Sequence, residues 1–419
     1  MKTFRIIGLL TALLLLGSSF AKAQQVDLSG FARTYEGILV DDGSFGIVQQ
    51  TLNLNFEKRG DKVAFKANPM IFMFNADSFN FRMRELYLDL YFDNFDIRIG
   101  KQQVVWGKAD GVFITDVVSP LNLTEFLLPD FDEIRRGVIA AKIDYYIGNS
   151  TIEAIIIPQF TPTLTPASNS IWYIQPDFPA PATFDWSQSE IKPSLENSEV
   201  FLKYSLMSSN IDFDIMGGYT WDDNPTMHVQ KQFGMDTSTV PPSPILTGIS
   251  ITPQHHRLGL VGGSFSTEIK GVIIRGEAAY YNGKYFQTSA PMAVDAIIQK
   301  DYLNYVVGLD FSLGPVKMSG QFIQKYIVDH EDMMLDDEIN NMATVMARYD
   351  MLRETLHLEL FSYIGITNSD ALIRPKVTYD FDDGFSILLG GNIFVGDEGG
   401  QFGKYHNNSM IYTKIKYSF

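Results

Sequence analysis

The sequence predicts an all-β protein: a transmembrane antiparallel up-and-down β-barrel of about eighteen strands. Three observations predict it. The chain of 419 residues opens with an export-type leader. Segments of about 10–13 residues alternate apolar and polar side chains, a length that spans a bilayer when tilted. The connections between these segments are alternately short and long.

The leader comes first. Lys2 and Arg5 precede an apolar run, Ile6 to Leu16, that is too short to cross a bilayer as a helix. Ala21, Lys22 and Ala23 then give a small-x-small cleavage site. Residues 1–23 therefore read as a cleaved Sec-type signal peptide and 24–419 as a single domain. The remainder has no long apolar run of the kind a membrane helix needs. The chain has no cysteine, so an exported fold must rest on packing and backbone pairing without disulfides. Lys and Arg number 33 against 49 Asp and Glu, a net charge of −16. That balance excludes nucleic acid as a partner, because phosphate binding needs clustered cations. Aromatics make up 13% of the chain. An exported, aromatic-rich chain without an apolar helix can still cross a membrane as a closed barrel, in which every backbone donor is paired between strands.

The last strand shows the alternation most clearly. Phe419, Tyr417, Ile415, Thr413 and Ile411 fall on one face, and Ser418, Lys416, Lys414, Tyr412 and Met410 on the other. The terminal Phe419 with Tyr417 two places before it resembles the C-terminal signal by which bacterial outer-membrane barrels are recognised for assembly. The same period recurs upstream. Leu52, Leu54 and Phe56 oppose Thr51, Asn53 and Asn55; Leu356, Leu358 and Leu360 oppose His357 and Glu359; Leu303, Tyr305, Val307 and Leu309 oppose Asn304, Val306 and Asp310. Taking the polar face as inward assigns Glu85, Asp89, Asp96, Arg98, Asp144, Asp310, His357, Glu359, Arg374, Lys376, Asp380, Lys414 and Lys416 to a hydrated lumen.

Short turns rich in Gly, Asn, Asp and Pro fall near Gly60, Asp93–Asn94, Gly148–Ser150, Ser208–Asn210, Gly271, Pro315, Leu352–Glu354 and Gly384. Long connections fall between them: Trp106–Glu133, Thr161–Pro193, Asp222–Pro253, Gly283–Ile298, Val328–Asn341 and Gly396–His406. That asymmetry is the mark of tight periplasmic turns and extended outer loops. The turn near Leu352 keeps every long connection on one side; sixteen strands is the alternative count. In the Pro-rich connection, Trp172, Tyr173, Phe178, Phe184 and Trp186 are expected to pack into the barrel mouth.

The third outer connection is the most unusual. In general porins the third outer loop folds inward and narrows the channel, and this stretch follows the fifth strand, the same topological place. Leu121, Leu123, Phe126, Leu127 and Leu128 suit anchorage to an inner wall, while Pro120 and Pro129 break regular structure. The constriction residues are expected to be Trp106, Lys108, Asp110, Asp116, Glu125, Asp130, Asp132, Glu133, Arg135 and Arg136. A short helix is expected over Asp116–Phe126, with Ser119 as N-cap and Pro120 in the first turn.

No enzyme chemistry emerges from the spacing. His255 and His256 are adjacent and point to opposite faces of a regular strand, so they do not chelate one metal there. The carboxylates of Asp329–Glu338 lack the ordered spacing of a calcium loop and read as a solvated outer loop. The sequence calls for no cofactor and no metal.

"RIGKQQVVWGKADG…DVVSPLNLTEF" resembles a family of bacterial outer-membrane barrels known as domain of unknown function 1302. There a Gly-[Arg/Lys]-Gln element leads to Trp-Gly, then an Asp and a Pro-containing segment. The matching residues are Gly100, Lys101, Gln102, Trp106, Gly107, Asp116 and Pro120. The resemblance implies an outer-membrane barrel with a role in transport and supplies no substrate.

The expected function is a porin-like channel in the outer membrane of a Gram-negative-type bacterium, passing small solutes by passive diffusion. The net charge mildly favours cations or neutral solutes. Outer-membrane lipid and the barrel assembly machinery are the expected partners. Two other uses of such a barrel remain open: transport of hydrophobic or lipid-like molecules, which needs a lumen lined by Phe, Leu and Met, and a surface adhesin or hydrolase, which needs a compact polar constellation at the rim.

Overall fold

A period of two lets each strand turn one row of side chains to lipid and the other to the interior. The computed structural model, which describes residues 26–74, 78–238 and 241–419, joins eighteen such strands edge to edge. The predicted leader, residues 1–23, lies outside the described residues. In chain order the strands are β1 (Asp27–Leu39), β2 (Phe45–Arg59), β3 (Val63–Phe74), β4 (Ser78–Tyr91), β5 (Phe95–Gln102), β6 (Val138–Ile147), β7 (Ser150–Ile157), β8 (Ala182–Phe184), β9 (Glu199–Met207), β10 (Asp212–Trp221), β11 (Thr226–Asp236), β12 (Ser243–Gln254), β13 (Arg257–Ile269) and β14 (Val272–Gln287). They continue with β15 (Ile297–Leu313), β16 (Val316–Ile327), β17 (Ile339–Met351), β18 (Leu356–Gly365), β19 (Asp370–Asp380), β20 (Phe385–Gly396) and β21 (Met410–Ser418). All but β8, β11 and β12 form the wall, each antiparallel to the next. The ring closes where β1 pairs with β21 from Phe31↔Ser418 to Leu39↔Met410. Antiparallel closure of an up-and-down wall requires an even count, and the count is eighteen.

The faces follow the sequence pattern. On β21, Ile411, Ile415 and Tyr417 stand outside at 59%, 37% and 48% exposure, while Met410, Tyr412 and Lys414 are buried inside. On β2, Leu52 faces out and Thr51 and Asn53 face in; on β15, Val307, Leu309 and Phe311 face out and Val306 faces in. Phe419 and Tyr417 lie at the seam, their rings 6.3 Å apart, with the Phe419 carbonyl accepting from Gly30 N–H. The predicted short turns all lie at one end of the barrel. The turn between β17 and β18 holds Leu352, Arg353 and Glu354 at positive φ.

Three expectations for the outer end are corrected. The connection Asp222–Pro253 is not irregular: β11 and β12 form a hairpin, and β8 adds to β12 in parallel. Its alternation is that of a strand, but it stands beyond the wall. Asp116–Phe126 forms no helix, because its backbone is committed elsewhere: Leu121 bridges Arg135, and Leu123 N–H donates to Leu164. The helical turn in this region is α1 (Phe131–Ile134), with Asp130 at its N-cap. Of the five aromatics expected in the barrel mouth, Trp172 is buried against Phe394 and Tyr405. Phe178, Phe184 and Trp186 instead contact one another, and the last two are exposed.

A bulge shapes the near wall. Asn68 pairs with Glu85 and Pro69 with Met83, leaving Arg84 as an extra residue in β4. The inward parity therefore changes along the strand. Tyr87 and Asp89 are buried inside, whereas beyond the bulge Phe79 and Phe81 face out and Arg82 faces in.

The interior has a packed apolar core. Val112, Ile114 and Leu128 from the third outer connection pack with Trp172 and with wall residues that include Tyr363, Phe394 and Tyr412. The inserted chain thus replaces much of the lumen by side-chain packing.

Candidate functional site

After Gln102 the chain leaves the wall and turns inside the barrel. The departure is built from the motif residues. Gly100 has φ +131, and a Cβ there would lie 2.3 Å from the Leu86 carbonyl oxygen, so β4 and β5 approach as only glycine allows. Gln102 is wholly buried and donates to the Ala140 carbonyl at 3.1 Å. Trp106 packs edge-on against Phe201 of β9, and its indole N–H donates to Glu153 of β7. A Cβ on Gly107 would come within 3.0 Å of Asp116 Cβ. Asp116 accepts from Trp106 N–H at 3.1 Å and from the Arg135 guanidinium, tying the start of the loop to its end. Ser119 accepts from Val104 N–H at 2.8 Å. Its hydroxyl therefore holds the departing strand and caps no helix.

From there the loop follows the inner wall. Lys108 Nζ pairs with Asp214 of β10 at 2.6 Å. Glu277 of β14, 4% exposed, receives the backbone N–H groups of Lys108, Ala109 and Thr115 and the Thr115 hydroxyl. Asp110 pairs with Arg275 of β14; its backbone N–H donates to the side-chain amide oxygen of Gln321 of β16, and its carbonyl accepts from that amide's NH₂. The Tyr363 hydroxyl of β18 donates to the Gly111 carbonyl at 2.8 Å. Gly111 has φ +78, and a Cβ there would sit 2.5 Å from the Phe361 ring. Arg374 of β19 donates to the carbonyls of Leu127 and Leu128 at 3.0 and 2.8 Å. Phe126 lies among Phe394, Phe402 and Tyr405.

The loop then crosses the seam. Asp130 lies 3.3 Å from Lys414 of β21, and Glu133 makes a two-pronged pair with Arg33 of β1 at 2.9 Å. Arg84 of β4 donates to the Asp132 carbonyl, and Arg136 to the Pro162 carbonyl. The Asp132 side chain is exposed and Glu125 faces a cavity beside β1–β5.

The ten residues expected at a constriction are therefore brought into one inserted loop, but they divide by location. Trp106, Lys108, Asp110, Asp116 and Arg135 are engaged with the wall or with the loop itself. Glu125, Glu133 and Arg136 line the cavity beside β1–β5, and Arg135 reaches it as well. Among the residues expected in the lumen, Glu85 pairs with Lys66 at 2.7 Å, Asp89 with Arg98 at 2.6 Å and Glu359 with Lys376 at 3.0 Å. Asp310 pairs with Arg275, Asp144 with Lys142, and His357 bridges Asp350 and Asp380.

Residues not singled out from the sequence carry much of the arrangement: Glu277, Arg275, Gln321 and Tyr363 hold the loop, and Arg33, Arg82 and Arg84 face the cavity beside Lys101 of the motif. For Glu277 a signal existed, since Arg275, Glu277 and Ala279 share the inward row of β14. For Arg82 and Arg84 none did, because the bulge breaks the period.

The family described as "Protein of unknown function (DUF1302)" matches residues 74–386. The chain belongs to this family. The matched span includes the whole inserted loop and its principal anchors on β14, β16, β18 and β19. Three solved structures share the fold. Acinetobacter baumannii OccAB1 superposes with a TM-score of 0.54 at 10% identity, covering 94% of this chain and 96% of that one. Pseudomonas aeruginosa OccK2 (OpdF), solved in complex with glucuronate, gives 0.53 at 10% identity over 94% and 97%. Pseudomonas aeruginosa OccD3 (OpdP) gives 0.52 at 10% identity over 94% and 91%. No curated protein matches the sequence. The fold is that of a porin-like outer-membrane barrel.

Proposed function

We propose that the protein is a channel through which small solutes diffuse passively, and that residues 106–133 set its bore. One observation carries this reading. The loop is held against β10, β14, β16, β18 and β19, and an open space inside the barrel lies between the loop and β1–β5. A passage bounded by a fixed loop on one side and a polar wall on the other selects by size and charge. The ion pairs along the wall keep it hydrated.

Transport of hydrophobic molecules has less support. The apolar side chains inside the barrel are packed against one another: Leu128, Trp172, Phe394 and Phe402 are each at most 4% exposed. They present no continuous apolar path.

Planar-bilayer recording of the purified full chain tests the proposal, alongside a variant lacking Lys108 to Asp132. Stepwise conductance is expected from both, larger in the variant. A protein that gives no steps in either form is not a channel. Equal conductance and selectivity in the two would leave the channel and remove the loop as its constriction.

A further inference from the structure

The cavity between the inserted loop and the near wall has a charge opposite to that of the chain. Seven cations line it against two carboxylates, Glu125 and Glu133, in a protein of net charge −16. Arg33 and Lys414 are committed to Glu133 and Asp130, and Arg135 to Asp116. Arg82, Arg84, Lys101 and Arg136 are different. Among the described residues, none of the four has a carboxylate within ion-pair distance. Arg84 reaches the Asp132 carbonyl and the Gln103 side-chain amide oxygen, and Arg136 the Pro162 carbonyl; the Arg84 Nε is buried with no hydrogen-bond partner. Lys101 lies within electrostatic range of both Arg82 and Arg136, and so of two like charges. Arg82 lies within electrostatic range of Glu125 and Glu133, and Arg136 of Asp223, at more than ion-pair distance. With seven cations to two carboxylates at the cavity, positive charge is in excess there, and an anion between the cations relieves it.

The same cavity has an apolar side. Met70 and Phe72 line it, and the Arg82 guanidinium sits 5.0 Å from the centre of the Phe72 ring. A guanidinium held against a ring presents its donor edge sideways, the geometry that takes a carboxylate through two parallel hydrogen bonds.

We infer that the cavity is a binding site for small organic carboxylates, with Arg82, Arg84, Lys101 and Arg136 receiving the carboxylate and Met70 and Phe72 the apolar body. This rests on the channel reading and deepens it by naming the class of solute: an anion, where net charge alone favours cations. An inorganic oxyanion shares the charge and lacks the apolar body.

The test uses the purified full chain in planar bilayers under a salt gradient, with benzoate, benzyl alcohol and inorganic phosphate as probes, and calorimetric titration of the same probes into the detergent-solubilised protein. The reversal potential is expected to show anion selectivity. Benzoate is expected to reduce the chloride current at concentrations where benzyl alcohol does not, and to bind at least tenfold more tightly than phosphate. The triple variant R82Q/K101Q/R136Q is expected to lose both selectivity and benzoate binding, whereas K317Q, on an exposed residue paired with Asp350, keeps both. A cation-selective or unselective wild type overturns the inference, as does equal action of benzoate and benzyl alcohol, or a triple variant that keeps its preference. Phosphate binding as tight as benzoate overturns the carboxylate assignment. Benzoate binding without any conductance would overturn the channel and keep the anion site; conductance without benzoate binding would do the reverse.

Discussion

Replacing Glu277 by alanine removes the acceptor that holds the inserted loop to the far wall. Its two carboxylate oxygens receive three backbone N–H groups and one hydroxyl, all from residues 108–115. At 4% exposure the site admits little water to replace them. A hydrogen bond to a charged group contributes roughly 1.5–3 kcal/mol. The four share one acceptor and are not additive, and water entering the truncated site recovers part of the loss, so the loop loses about 3–5 kcal/mol of its hold. At about 1.4 kcal/mol per tenfold, the detached population rises between roughly 100- and 4000-fold. Single-channel recording is expected to show larger and noisier openings in E277A than in the wild type. E277Q falls between them, because its amide keeps one acceptor oxygen and turns an NH₂ group toward donors. Heat-modifiable gel mobility stays at the wild-type value in both, since no wall pairing is touched. E277A traces equal to wild type in conductance and noise, with residues 106–133 equally resistant to protease, would refute the reasoning.

G111A is expected to loosen the same loop by about 1–3 kcal/mol, because the left-handed backbone and the Phe361 ring both oppose a Cβ; current noise and loop proteolysis measure it. G100V is expected to prevent assembly, since its side chain meets the backbone of β4; loss of the heat-modifiable band checks this. His255 lies between β12 and β13, and burial pushes its imidazole below the ordinary value against the pull of the Asp222 carbonyl and carboxylate. A histidine with a depressed folded value gives full stability above its unfolded value of about 6.5, and that stability is lost as pH falls below it. Hydrogen-exchange protection factors over β11 and β12, which compare each rate with the intrinsic rate at the same pH, are therefore expected to fall between pH 7.5 and 5, and H255Q to flatten that dependence.

The wall was legible because each element repeats one simple rule. On β2, β15, β18 and β21 a period of two assigns the faces, and the turn at Leu352–Glu354 fixes the parity of everything after it. The inserted loop was legible as an interruption after the fifth strand, and several of its anchors were legible as residues. What holds it was not. The partners of Lys108, Asp110 and Leu128 lie on strands more than a hundred residues away, at positions set by ring closure. The basic face of the cavity was hidden for a more local reason. Counting by twos through Glu85 carries Met83 and Phe81 inward and leaves Arg82 to the lipid; one bulged residue at Arg84 reverses this. The predicted helix failed because its apolar spacing is satisfied by separate contacts to different strands, with Pro120 and Pro129 keeping the backbone open.

Asp130 and Glu133 stand three residues apart and grip opposite sides of the seam, Lys414 on the last strand and Arg33 on the first. The two grips can be held together only when the ring is closed, because the two cations are brought side by side by the joining of the chain's two ends; Asp130 then also lies 3.7 Å from Arg33. The loop thus acts as a latch that reports closure: an unfinished barrel lacks its final fastening, and a finished one holds the loop to both of its ends. In refolding, protease protection of residues 125–136 is expected to follow β1–β21 pairing and not to precede it, since contacts so distant in sequence form late.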